Sequence, residues 1–468
     1  MIPMTLPEIA AVVDGEVHDD HGTPVTGPAF IDSRAPEPGG LFVAFAGEHV
    51  DGHDFAHAAV AGGAAAVLGA RPTGWPTVVV ADPQAALARL AAHVVRRLPD
   101  VRVVALTGSQ GKTSTKDLLG QVLAAAGTTV ATAGSFNNEI GLPLTVLRAG
   151  TETEYLVLEM GARGRGHLRQ LCDVAPPDVA LVLNVGKAHL GEFGTQADIA
   201  AAKGEIVDAL GPDGTAVLNA DDELVAAMAS RHTGRVVTFG ESAGCDVRLG
   251  HLELDELGRP RFDLSSGGET AHVALTLVGE HQAHNAAAAT ATAVALGIPL
   301  GTVVPALVAA APASRWRMEV HECADGVTVI NDAYNANPDS MRAALKALAA
   351  VGRGRGARTV AVLGEMRELG ESSRDEHDAV GRLAVRLDIS QLLVVGEPAR
   401  PLHLGACLEG SWGEESVFVE DNDQALTWLR DHVRPGDVVL LKASRAAALE
   451  TVGEALVADH DVLKESRP

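Results

Sequence analysis

Lysine is scarce in this chain, seven among 468 residues, yet Lys112 and Lys116 stand four positions apart at one place. The first closes the run Val103-Val104-Ala105-Leu106-Thr107-Gly108-Ser109-Gln110-Gly111-Lys112-Thr113-Ser114: an apolar strand, a glycine turn, Lys-Thr, then a helical pattern. That order describes a phosphate loop. Glycines let backbone N–H groups converge on phosphate oxygens, and the helix N-terminus adds positive potential. Lys112 then reaches the β- and γ-phosphates, and the Thr113 hydroxyl suits Mg²⁺. The spacing is a variant of the common GxxxxGK[ST], because Leu106 occupies the position five before Gly111. A plainer alternative, a glycine turn capping a surface helix, is disfavoured by the strand before and the helix after.

Phosphate and Mg²⁺ call for further ligands, which a parallel sheet supplies at the carboxyl ends of neighbouring strands. Glu159 closes Tyr155-Leu156-Val157-Leu158, and His189 follows the strand ending near Asn184. Each alone could be a capping carboxylate or a loop histidine; together, beyond strands of one domain, they point to metal ligands. Lys203, in Ala201-Ala202-Lys203-Gly204-Glu205-Ile206, lies on the next helix and could equally be a solvated lysine. Farther on, Asp332-Ala333-Tyr334-Asn335-Ala336-Asn337-Pro338-Asp339-Ser340-Met341 leaves another strand. Asn and Asp there commonly do turn and capping work. The same density of amides and acids also suits hydrogen-bonding a ribose or orienting a substrate.

Positioning these groups requires sheets. From residue 101 the pattern runs strand (101–106), turn, helix (113–126), then strands at 155–158 and 179–183, which predicts a parallel sheet covered by helices. Before it, short strands at 41–45 and 78–80 precede a helix over 83–98; Leu98-Pro99-Asp100 marks a boundary. A helix over 285–296 ends the middle region near Ala311-Pro312-Ala313, and strands at 327–330, 359–363, 392–395 and 438–441 predict a second α/β sheet. The expected fold is therefore α/β with three domains, 1–98, 99–313 and 314–468. The balance of 61 acidic against 37 basic residues, a net charge of −24, and the few aromatic residues disfavour a nucleic-acid partner. No apolar run approaches the ~20 residues that span a membrane, so no membrane partner is expected. The start carries no basic residue before its apolar ones, which argues against a secretory signal. Cys172, Cys245, Cys323 and Cys407 form no CxxC pair, which fits a reducing cytoplasm.

Several segments together carry a resemblance: TGSQGKTST, NNEIGLP (137–143), LEMG (158–161), NVGKAHLGEFG (184–194), AAKGEI (201–206), HQAHNAAAA (281–289), RWRMEV (315–320) and NDAYNANPDSM. Over essentially its whole length and in domain order, the chain resembles the Mur ligase family. NDAYNANPDSM, AHLGEFG and AKGEI match the variant that adds D-Ala-D-Ala, and Asp32-Ser33-Arg34 with GEHVDGHDF (47–55) resembles its nucleotide-sugar domain. Lys187 and Gly164-Arg165-Gly166-His167 depart from the pattern locally.

The resemblance implies a small N-terminal α/β nucleotide-sugar domain, a central P-loop parallel-sheet ATPase domain and a C-terminal Rossmann-like domain. It implies ATP and Mg²⁺ as cofactors, with UDP-MurNAc-tripeptide and D-Ala-D-Ala as small-molecule substrates of a cytoplasmic, monomeric ligase of peptidoglycan synthesis. Gly108, Ser109, Gln110, Gly111, Lys112, Thr113 and Ser114 would hold the ATP phosphates, with Thr113, Glu159 and His189 around Mg²⁺. Asn285 would face the adenine, Arg317 the γ-phosphate, with Arg315 the less favoured alternative, and Asp332 the ribose. Ser33 and Arg34 would contact the uridine diphosphate, and Asn335 and Asn337 the substrate. Lys112, Lys203, His189 and Arg317 would carry the chemistry, Lys203 as a carbamate that helps bind a second Mg²⁺. Because these groups straddle 314, the Ala311-Pro312-Ala313-Ser314 junction is the expected hinge. The rivals are a folylpolyglutamate synthase, another ligase of the family, or a nucleotide-dependent switch.

Overall fold

The computed structural model describes residues 1–47, 50–186, 195–410 and 415–461. His189 with the whole of AHLGEFG, Lys187, and residues 48 and 49 of the GEHVDGHDF segment lie outside them. Three sheets follow one another along the chain. The first has the order Glu16–His18, Thr77–Val79, Ala66–Gly69, Leu41–Val43, Ala29–Phe30, with only the Glu16–His18 pairing antiparallel. Helix Pro83–Arg96, capped by the Asp82 carboxylate, packs Leu87, Leu90 and Val94 into a core that runs on through Leu98 and Val101 to Leu142 and Leu144. The apolar core is thus continuous past Leu98-Pro99-Asp100.

The central sheet has nine strands, and its middle follows from the sequence pattern. Arg102–Thr107 lies between Tyr155–Glu159 and Val179–Val182, all parallel. Its unbroken apolar run is explained by burial on both faces: Val103 and Ala105 face one core, Val104 and Leu106 the other. The register sets Leu106 opposite Glu159 and Thr107 opposite Val182, so the chain leaves three strands along one edge.

Two features differ from expectation. Beyond Arg235–Gly240 the sheet ends in antiparallel strands Val247–Leu254, Pro260–Ser266 and Glu269–Ala274. Burial there alternates along each strand, as it does in a sheet wetted on one face. A Gly267-Gly268 turn with φ 60° and 86° joins the last two, a residue pair suited to a tight hairpin turn. The second difference is that the alanine-rich helix spans His281–Ala295 and starts after Gly279 (φ 110°), which places Asn285 in its second turn. Its small side chains let it pack closely along Lys112–Ala124.

The third sheet has the order Glu319–Glu322, Thr328–Asn331, Val438–Lys442, Thr359–Leu363, Gln391–Val395, Ser416–Val419. Asn331 pairs with Leu441 and Leu363 with Lys442, so Asp332, Lys442 and the segment after Leu363 emerge together. Helix Pro338–Arg355 rests against the central domain, where Val278 joins the core of Met341, Ala344 and Val351. At the junction, the Gln121 side chain bonds both N–H and C=O of Ala311, each at 3.0 Å. No helix among the described residues is long and apolar enough to cross a membrane.

Candidate active site

The edges of the second and third sheets face each other across a cavity of about 730 Å³. On the central side, Gly111 (φ 78°) precedes helix Lys112–Ala124 with no side-chain cap, so the first N–H groups of the helix stay open to a ligand. A Cβ on Gly108 would lie 2.9 Å from that of Leu183, and one on Gly111 2.8 Å from Asn285 Oδ1. The loop is therefore packed too tightly for side chains at either position. Its shape is held by Asn184, whose Oδ1 accepts from the N–H groups of Ser109 and Gln110, both at 3.0 Å. Lys112 Nζ donates to the Gly108 carbonyl at 2.8 Å. Asn184→Ala should weaken ATP binding about tenfold, near 1.4 kcal/mol, by releasing two loop amides from their acceptor. Calorimetric titration with ATP checks this; unchanged affinity would mean that the loop keeps its shape unaided.

Beneath the loop, Glu159 is 1% exposed. Its Oε1 accepts from Asn137 Nδ2 at 2.7 Å, while Oε2 is buried without a hydrogen-bond partner among the described residues. Thr113, also buried, accepts at Oγ1 from Arg317 Nη2 at 3.2 Å. Lys203 is 3% exposed and makes no ion pair among the described residues. Burial, and then the neighbouring charge of Lys112, push its ammonium pKa well below the usual lysine range. Burial likewise lowers Lys112, with Glu159 acting in the opposite direction. Among the described residues no three His, Cys, Asp or Glu side chains gather as a metal cluster, so Glu159 and Thr113 are the candidate ligands there.

On the opposite wall, Trp316 and Met318 take left-handed conformations (φ 57° and 50°) on either side of Arg317. Such conformations cost roughly 1–2 kcal/mol per residue and need support. Trp316 N–H donates to Glu319 Oε2 at 2.9 Å and Met318 N–H to Asp332 Oδ1 at 3.1 Å. Arg317 is thereby turned into the cleft, its Cζ 4.2 Å from the Tyr334 ring centroid and its Nε buried without a partner among the described residues. Arg315 points elsewhere, to Glu454 at 2.6 Å. The Tyr334 hydroxyl hydrogen-bonds Ser135, a second link between the two domains. Asp332 Oδ2 accepts from the buried Lys442 at 2.6 Å. The nearby His281 ring is lowered to about 4, chiefly by burial, and so is neutral at pH 7.

The cavity therefore gathers Ser109, Gln110, Gly111, Lys112, Thr113, Ser114, Glu159, Lys203, Asn285, Arg317, Asp332, Asn335 and Asn337. Gly108 lies at its base through the Lys112 bond. Asn285 is held from both sides, accepting from Thr115 at 3.2 Å and donating to Gln282 at 3.0 Å. Asn337 also caps helix Pro338–Arg355, its Oδ1 accepting from Ser340 N–H at 2.8 Å. Ser33 and Arg34 stand apart from the cavity, in the first domain, where the Arg34 guanidinium grips Asp32 at 2.7 and 2.9 Å. Asn184, Asn137, His281, Tyr334 and Lys442 were missed as site residues. Lys442 had a signal, being one of seven lysines and closing a buried strand; Asn137, Asn184, His281 and Tyr334 lay within quoted motifs.

Three family models match the chain: "Mur ligase family, catalytic domain" over residues 30–109, "Mur ligase middle domain" over 106–293, and "Mur ligase, glutamate ligase domain" over 316–445. The UDP-N-acetylmuramoyl-tripeptide–D-alanyl-D-alanine ligase of Mycobacterium tuberculosis is 49% identical, with all of both chains covered. The Escherichia coli ligase of the same name is 36% identical over 97% of this chain and 99% of its own. Among solved structures, MurF from Acinetobacter baumannii superposes with a TM-score of 0.85 at 33% identity, covering 97% of this chain and 99% of that one. The MurF ligase of Thermotoga maritima in complex with ADP gives 0.78 at 31% identity, covering 93% and 98%.

Proposed function

The chain belongs to the Mur ligase family, and on that premise we propose that the cleft between its second and third sheets is where a nucleotide-borne peptide is activated and extended. The protein is an ATP-dependent ligase that joins D-Ala-D-Ala to UDP-MurNAc-tripeptide through an acyl phosphate. The products are the UDP-MurNAc-pentapeptide precursor of peptidoglycan, ADP and phosphate. One observation supports the assignment of the cleft: Lys112, Lys203 and Arg317 converge there with one unpartnered Glu159 oxygen, in a chain of net charge −24. Such a gathering of cations calls for an anionic ligand.

The chemistry sets an anionic carboxylate against an anionic phosphate, so charge must be neutralised where they meet. In this reading residues 108–114 cradle the ATP phosphates, Lys112 and Arg317 draw charge from the γ-phosphate as the tripeptide carboxylate oxygen attacks it, and ADP leaves. Asn285 faces the adenine, Asp332 the ribose, and Ser33 and Arg34 the uridine diphosphate; Asn335 and Asn337 border the substrate. Mg²⁺ fits beside the buried Glu159 oxygen and the Thr113 hydroxyl, with His189 as the further candidate ligand outside the described residues. When bound it supplies positive charge to the phosphates. Domains of 1–98, 99–313 and 314–468, a hinge at 311–314, a monomeric state and a cytoplasmic location complete the reading.

Incubation with ATP, UDP-MurNAc-tripeptide and D-Ala-D-Ala should give the pentapeptide by mass together with stoichiometric phosphate. Phosphate release without a new amide would overturn the reading. Glu159→Gln keeps an acceptor for Asn137 but removes the charge, and should raise the Mg²⁺ needed for half-maximal rate about tenfold or more. An unchanged Mg²⁺ titration would return Glu159 to a structural role.

A further inference from the structure

In Arg315-Trp316-Arg317 two arginines flank one tryptophan, and the second arginine enters the cleft while the first turns away from it. The residue between them is in an unusual state. Trp316 has φ 57°, in the left-handed region where a bulky side chain is an outlier. Glycine takes that conformation without crowding, so an indole at this position is explained by what it binds. Two guanidinium groups lie over its ring, the Cζ of Arg445 4.4 Å and that of Arg315 4.9 Å from the centroid. An indole face attracts a cation at this range better than the other aromatic side chains do. The indole Nε1–H donates to Glu454 Oε1 at 3.0 Å, on helix Glu450–Asp461.

The carboxylates around the ring are engaged by the same two arginines. Arg315 binds Glu454 at 2.6 Å, and Arg445 binds the buried Glu450. On the main chain, the Trp316 carbonyl accepts from Tyr334 N–H at 3.2 Å. Tyr334 also supplies the ring on which the Arg317 guanidinium lies, and Arg317 Nη2 reaches across to Thr113 Oγ1. Indole, left-handed backbone and Arg317 thus form one line of contacts from the last helix of the third domain to the phosphate loop of the second.

We propose that Trp316 is a positioning residue for the attack on the γ-phosphate: its indole, bound by Arg315, Arg445 and Glu454, fixes the backbone that directs Arg317 into the cleft. The inference rests on the reading of Arg317 given above. Trp316 itself touches neither substrate. It acts by keeping Arg315 on Glu454 and Arg317 on the phosphate side, a choice that the alternating sequence alone leaves open.

A double-mutant cycle in the full chain, read as pentapeptide formed from ATP, UDP-MurNAc-tripeptide and D-Ala-D-Ala, tests this. Trp316→Leu should lower kcat about 30-fold, within the loss that a misplaced reacting group brings, with the KM for D-Ala-D-Ala changed by less than about twofold. Trp316→Phe keeps a ring for the two guanidinium groups and should recover most of the rate. Arg317→Ala should cost about 10²-fold or more, and Trp316→Leu added to it should cost nothing further. Glu454→Ala, at a half-exposed position, removes the indole's acceptor without emptying the site; it should lower kcat about threefold or more, and again not in the Arg317→Ala background. An undiminished rate in Trp316→Leu, or the same loss from it with and without Arg317, overturns the proposal. A wild-type rate in Arg317→Ala would instead refute the reading of Arg317 on which it rests.

Discussion

Lys112→Ala should lower pentapeptide formation by on the order of 10³-fold, the scale on which removing one preorganised charge from a transition state is felt. Lys112 Nζ rests on the Gly108 carbonyl within the loop, and burial already makes its ammonium costly to keep charged. Both facts describe a cation placed to meet an anion. Folding should barely notice the change, since the side chain contributes one hydrogen bond, about 1 kcal/mol. A coupled assay for ADP beside a thermal melt reads both quantities. Retained turnover would end the phosphate-loop assignment, and a collapsed melt would show that Lys112 serves the fold.

Lys203→Ala should be almost as damaging to activity, by about 10² to 10³-fold, with the opposite sign for stability. Lys203 is buried, makes no ion pair among the described residues and lies near a second lysine, so burial and that neighbouring charge both disfavour its ammonium. Its loss should leave the melting temperature unchanged or raise it, because an uncompensated buried charge is removed. A neutral amine adds CO₂ to give a carbamate and a proton, turning a misplaced cation into an anion suited to a metal. On that reading, formate added to Lys203→Ala restores part of the rate, and Lys203→Arg, which keeps the charge but cannot carry the carbamate, is inactive. Rescue failing while Lys203→Arg works would make Lys203 a plain cation.

The two lysines show where local pattern was enough and where it was not. The turn over Gly108 to Ser114 was legible because its parts are contiguous: strand, glycine turn and helix start are neighbours in the chain, and their geometry depends on little else. Glu159 was legible for a related reason, since a residue that closes a buried parallel strand must emerge at the sheet edge. Lys203 was visible only through the resemblance, because nothing within a helical turn distinguishes a solvated lysine from a buried one. The antiparallel strands between Val247 and Ala274 were missed although the Gly267-Gly268 turn marked a hairpin, since half-buried strands carry a weak alternating signal beside strong apolar runs.

What the sequence determined by itself, then, was the α/β architecture, the glycine turn that runs into a helix at 108–114, and, through its motifs, the family and the reaction. The tertiary structure decided which groups share one cavity. It turned Arg317 into the cleft and Arg315 out to Glu454, two arginines that local sequence hardly separates, because Asp332, Glu319 and Tyr334 hold the backbone around Arg317. It paired Lys442 with Asp332 across 110 positions and set Asn184 under the loop 74 positions earlier. The reason is physical: hydrogen-bond and ion-pair partners are chosen by distance in space, and strand register across a sheet edge brings together residues that no spacing along the chain connects.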